Sequence, residues 1–172
     1  IRVGLPSEDE QLALTVQNEL RVIGERIERL VIDLAGDGAG AADHARLEGS
    51  GVLAEVASLS LDLKVDQLHA DPYLAAFERL SGPKTETATP PAEAPTPPPV
   101  KVDAKWQVDA AEFRGAQLTD AAGTAQFENG VLVYDMQQGK LANGSLTAQV
   151  TLDTARAQPR YSWRVAYQDG VV

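Results

Sequence analysis

In Leu59-Ser60-Leu61-Asp62-Leu63-Lys64-Val65-Asp66 every second residue is a branched aliphatic and every residue between is polar or charged. Successive side chains of an extended chain point to opposite faces, so this octet is a β-strand with one dry face and one wet face. The same period recurs upstream. Leu30, Ile32 and Leu34 alternate with Arg29, Val31 and Asp33, and Leu12, Leu14 and Val16 alternate with Ala13, Thr15 and Gln17. Residues 45–56 repeat it more weakly, and their Gly49 and Gly51 suit a strand that bends or bulges.

Downstream of the octet the period changes. Pro72 to Leu80, PYLAAFERL, follows Asp71 and reads as a helix with proline in its tolerated first turn. A helix over 72–80 has only about two turns. It can plug one end of a sheet but cannot cover it. Residues 83–99 then hold seven of the ten prolines, and proline has no amide donor and a fixed φ. Residues 83–101 therefore read as an extended linker or excursion loop, an inert spacer rather than a docking peptide for a proline-recognising partner.

Alternation resumes from 102 to 172. Trp106 and Val108 lead into Phe113, Ala125 and Phe127 precede Asn129-Gly130, and Val131 to Met136 follows that turn. Asn-Gly between two such runs is a strong hairpin signal. A second, Asn143-Gly144, precedes the alternating Leu146, Ala148, Val150 and Leu152, and Trp163, Val165 and Tyr167 form a last strand. The sum is an all-β chain of roughly eight to nine strands with one short helix, an antiparallel meander whose first part covers 1–82.

Such a sheet has an unsolved face. Each strand leaves three or four aliphatic side chains to hide, each worth about 1.5–3 kcal/mol when fully buried. A second layer, a partner or an apolar ligand has to cover them. Periodicity alone fits a closed sandwich, and it also fits a curved open groove that holds acyl chains.

Composition removes several functions. The net charge of -10 and the lack of a basic patch argue against nucleic acid. No apolar run approaches the roughly 20 residues that span a bilayer. Without cysteine there is no disulfide, thiolate metal site or cysteine nucleophile. His44 and His69 are the sole histidines, too few for a histidine-rich metal site. No nucleophile elbow, phosphate loop, zincin motif or Ser/His/Asp constellation occurs, so no catalytic residue, metal or cofactor is expected. The alternation sends most of Asp33, Asp62, Asp66, Asp135 and Asp153 outward, and they read as a solvated face. His69 beside Asp71 reads as a surface histidine at a strand end. Asn143-Gly144-Ser145 matches a glycosylation triplet but is accounted for as a turn.

Two blocks carry a family resemblance. Leu61 to Leu74, LDLKVDQLHADPYL, closes a strand on an aspartate followed by Tyr73-Leu74. The second block runs through Gly115, Leu118-Thr119-Asp120, Ala125 to Phe127, Asn129-Gly130, Val131 to Met136, Leu141-Ala142-Asn143-Gly144 and Val150-Thr151-Leu152-Asp153. Together they resemble the C-terminal region of AsmA-family proteins, most closely over 115–153. Two departures stand out. The tyrosine-glycine-glycine usual in the small turn is Leu141-Ala142-Asn143-Gly144 here, and Ala121-Ala122-Gly123 is smaller than usual.

The resemblance implies a Gram-negative envelope protein, anchored in the inner membrane by a segment upstream of Ile1, with its bulk in the periplasm. It implies a bridge-like lipid transfer protein whose extended, curved antiparallel sheet forms an open groove for phospholipid bound for the outer membrane. Its partners would be phospholipid acyl chains, the inner membrane and an envelope protein. On this reading Leu59, Leu61, Leu63, Val65, Leu146, Val150 and Leu152 face lipid, joined by Leu30, Ile32, Val133 and Met136. The rival is a non-enzymatic interaction or assembly module, serving outer-membrane protein or lipopolysaccharide assembly, with a closed β core.

Overall fold

A computed structural model describes residues 2–5, 12–38, 41–80, 99–156 and 159–169. It is an all-β chain: ten strands in sequence order form one sheet that does not close on itself. The strands are β1 (Arg2–Leu5), β2 (Leu12–Ile23), β3 (Arg26–Gly38), β4 (Ala41–Val52) and β5 (Ala57–His69), followed after a helix by five more. These are β6 (Val100–Phe113), β7 (Ala116–Glu128), β8 (Val131–Leu141), β9 (Gly144–Asp153) and β10 (Arg160–Asp169). The single helix among the described residues, α1 (Ala70–Leu80), begins two residues before Pro72. The proline-rich stretch of 83–98 lies outside the described residues.

Two features depart from a simple antiparallel meander of eight or nine strands. The described residues form ten strands, because Arg2–Leu5 pairs with β2 as an additional short strand. Also, β5 and β6 run parallel, with Leu59 opposite Val102 and Leu63 opposite Trp106. Parallel neighbours need a crossover, and α1 with the proline-rich stretch supplies the chain length for one. All other neighbouring pairs are antiparallel.

The turns follow from local backbone chemistry. Arg114-Gly115 and Asn129-Gly130 both have positive φ, 50 and 76 degrees in the first and 52 and 77 in the second. Two positive φ values make the hairpin turn whose twist matches that of its strands. The β8–β9 turn is Ala142-Asn143 rather than Asn143-Gly144, with Ala142 at φ 52. Gly144 already belongs to β9, and a Cβ there would strike the Tyr167 ring and the Gln168 carbonyl. Its glycine is needed for strand-to-strand approach, not for turning.

The core is small. Among the described residues Val31, Val65, Trp106, Ala121 and Met136 are the buried hydrophobics. Trp106, Ala121 and Met136 form one cluster on β6, β7 and β8, flanked by Leu63, Val108, Leu118 and Tyr134. Trp106 lies across Gly123, where a Cβ would meet its ring, and stacks on Tyr134 at 5.0 Å and 8°. No described large side chain is completely buried, as expected of one layer.

The apolar face as candidate functional site

Residues directly opposite in neighbouring strands share a face of the sheet, so the register assigns every side chain to one side or the other. From Leu61 the line runs through Ala104, Ala125, Tyr134 and Val150 to Trp163. In the other direction it runs through Gly49 and Leu30 to Leu20. A second line joins Ile32, Leu47, Leu63, Trp106, Gly123 and Met136. One apolar face thus extends without interruption from β2 to β10. Register shifts between Arg21 and Val22 and between Ile27 and Leu30 insert extra residues yet keep Val22 and Ile27 opposite each other on it.

Ten of the eleven residues expected to face lipid lie on this surface. Leu30, Ile32, Leu59, Leu61 and Leu63 are half-buried, as are Leu146 and Leu152, while Val65 and Met136 are buried and Val150 is exposed. Val133 is the exception. It sits between Gln126 and Thr151 on the polar face, because Leu132 and Tyr134 take the apolar positions beside Leu152 and Val150. The sequence reading missed other contributors to the face: Trp106, Tyr134, Leu20, Val22 and the aromatics of β10. Their alternation was visible, but only the register shows which strands continue one another's faces.

No second layer covers this surface among the described residues. Exposure rises toward the margins, with Leu20 61% exposed at β2 and Trp163 69% exposed at β10, whereas Trp106 in the middle is 8% exposed. Side chains in the centre shield one another; those at the rim lack a described strand neighbour on one side.

Helix α1 reaches over one end. The Tyr73 hydroxyl occupies the space above Gly36, where a Cβ would collide with it. Beneath it Asp43 is 5% exposed and accepts the His69 backbone N–H at 2.8 Å, and its Oδ1 lies 2.7 Å from His69 Nδ1. Burial, with the Asp43 carboxylate adding to it, pushes the Tyr73 hydroxyl pKa well above the usual phenol value. His69 is therefore the half-buried partner of Asp43 and not a surface residue beside Asp71. Asp71 instead accepts the Arg114 backbone N–H at 2.9 Å, tying α1 to the β6–β7 turn. An apolar hollow of about 190 Å³ lined by Leu34, Ala45, Leu68 and Tyr73 lies at this end.

The opposite face is polar and satisfies itself. Arg46 pairs with Asp33 at 3.1 Å and Glu48 at 2.6 Å, and Lys64 pairs with Asp66 at 3.1 Å and Asp109 at 3.6 Å. His44 Nδ1 is 2.7 Å from Asp66 Oδ2. Hydrogen bonds from Lys64 first and His44 second hold the Asp66 carboxyl below its usual range. A depression of about 610 Å³ between β4 and β7 lies among these pairs and Lys105. Asp33, Asp62, Asp135 and Asp153 stand on this face with strand neighbours between them, and no described group of His, Asp and Glu could hold a metal ion. Comparison with protein-family models, with curated proteins and with solved structures finds no match to this chain.

Proposed function

We propose that this chain is a segment of the periplasmic part of an AsmA-like protein, anchored in the inner membrane of a Gram-negative bacterium, that carries phospholipid toward the outer membrane. One observation carries the reading: an apolar face continuous from β2 to β10 with no second layer upon it among the described residues. Water against such a surface is unfavourable by about 25 cal/mol per Å². Acyl chains remove that contact, and because the effect is non-directional they can slide without leaving a fixed site. Head groups stay in water beyond the rim.

The role is non-enzymatic. Aliphatic side chains supply contact area, and the ion pairs of the other face keep the sheet hydrated on its back. Strands of 10 to 14 residues reach roughly 33–46 Å, longer than the roughly 15 Å depth of one hydrocarbon leaflet. An extended acyl chain therefore fits along a strand. The rival module with a closed β core draws less support from an open sheet.

The test uses the purified chain and phosphatidylethanolamine bearing a photoactivatable acyl tail. Cross-links should map to the apolar face, and native mass spectrometry should detect co-purified phospholipid. The double variant Leu61→Asp with Val150→Asp should lose cross-linking while circular dichroism shows an intact sheet, and Val133→Asp on the polar face should retain it. Equal cross-linking of the double variant and Val133→Asp would overturn the groove.

A further inference from the structure

Asp43 is the one buried charged side chain among the described residues, and its two carboxylate oxygens are treated differently. Oδ1 accepts the His69 backbone N–H at 2.8 Å and lies 2.7 Å from His69 Nδ1. Oδ2 is shielded from solvent and has no hydrogen-bond partner among the described residues. The register explains the burial. Asp43 lies opposite Gly36 on the apolar side of the sheet, and Tyr73 of α1 closes over the pair. The Tyr73 hydroxyl is near enough to feel the charge of the carboxylate, yet it does not satisfy Oδ2.

A buried acceptor left unmet is costly, and more so on a charged group. No described lysine or arginine pairs with Asp43; its ionic contact is the His69 ring, in a chain whose net charge is -10. The space beside it is apolar. Leu34, Ala45, Leu68 and Tyr73 line the hollow that Asp43 adjoins, with Gln67 and His44 also on its wall. Water is a poor occupant of such a space, because a buried water needs two to four polar partners. The hollow measures about 190 Å³. An apolar cavity of about 150 Å³ holds a benzene, so there is room for an unbranched chain of about five carbons with one small head.

We propose that the hollow beneath α1 is a binding site for a short primary alkylammonium, whose aliphatic body lies against Leu34, Ala45 and Leu68 and whose head donates to Asp43 Oδ2. An ammonium suits this acceptor better than a hydroxyl, because it brings three N–H donors and the positive charge that the buried carboxylate lacks. Its head takes the place of the Tyr73 hydroxyl beside the carboxylate. The apolar wall selects against a stem that carries a second polar group. This holds whether or not the rest of the face carries lipid.

The whole chain is titrated with n-pentylammonium, n-pentanol and O-phosphoethanolamine at physiological salt, which screens pairing with exposed carboxylates, and followed by amide correlation NMR. Pentylammonium should move the amides of Ala45, Leu68 and His69 and saturate, binding about tenfold tighter than pentanol, the step from a neutral to a charge-assisted hydrogen bond. Phosphoethanolamine has the same head on a short stem ended by phosphate, and should not bind there. Asp43→Asn should bring pentylammonium down to the affinity of pentanol. Ala45→Leu, which fills the hollow and leaves Asp43 in place, should remove the binding of both. If either variant fails to fold by circular dichroism, the order of the three probes on the unaltered chain still decides. Pentanol or phosphoethanolamine binding as tightly as pentylammonium, saturating shifts that survive both substitutions, or no saturable shift at these three amides would each overturn the proposal.

Discussion

Trp106 should carry more of the stability of this sheet than any other single side chain, and its environment fixes how much. It is 8% exposed, stacked on Tyr134 at 5.0 Å and laid over Gly123 against Ala121 and Met136. An aromatic of this size buries about 150–250 Å². At about 25 cal/mol per Å² that is some 4–6 kcal/mol, less the part an alanine would retain. In a two-layer protein an enclosed cavity would add to the loss. Here the layer is open, so water can enter the vacated space and the cavity contribution falls away. Trp106→Ala should therefore cost about 3–4 kcal/mol, within the usual 3–5 kcal/mol for large aromatics.

Trp106→Phe should cost far less. The Trp106 Nε1–H is buried without a hydrogen-bond partner among the described residues, and a buried orphan donor costs about 1–3 kcal/mol. Phenylalanine keeps the stack on Tyr134 and removes the orphan, so the two effects oppose one another. Urea unfolding followed by circular dichroism and by Trp163 emission measures both variants. A loss under about 1 kcal/mol for the alanine variant, or equal losses for both variants, would refute the assignment of the core to this cluster.

Two further expectations concern α1 and the polar face. Gly36→Ala should displace Tyr73 and cost about 1–3 kcal/mol by overpacking, and adding Tyr73→Phe should recover part of that, because the first atom met is the hydroxyl; a double-mutant cycle with no coupling would contradict the contact. Asp66 is held below its usual carboxyl range in the folded chain, so its contribution is present above the unfolded pKa near 4 and is lost as pH falls through the lower folded value. Asp66→Asn should shrink the loss of stability on acidification below about pH 4, read as a shift in unfolding midpoint against pH. Tyr73 has the opposite sign: its pKa is raised by burial and Asp43, so stability should fall as pH rises above about 10, and Tyr73→Phe should remove that fall.

Period-two alternation was sufficient to identify strands wherever one face is dry and the other wet, as in Leu59 to Asp66 with its half-buried aliphatics and exposed partners. It placed ten residues on a common face because a pleated strand has only two sides. It failed at Val131 to Met136, where apolar residues occupy both parities. There the partners Leu152 and Val150 select Leu132 and Tyr134 for the apolar face and leave Val133 with Thr151. Asn129-Gly130 was legible as a turn because the backbone itself demands positive φ, whereas Ala142-Asn143 was misplaced by one residue because Gly144 answers to Tyr167, distant in sequence.

Local chemistry thus determined strands, most turns, the short helix and the existence of an apolar side, because each depends on side chains two to four positions apart. Tertiary structure alone decided that β5 and β6 run parallel, that Asp43 and not Asp71 holds His69, and that the apolar sides of nine strands, β2 to β10, join in one face without a second layer among the described residues. Those outcomes depend on which backbone edges meet, and edge N–H and C=O groups are chemically alike in every strand. Their pairing is selected by the whole sheet, not by any segment of it.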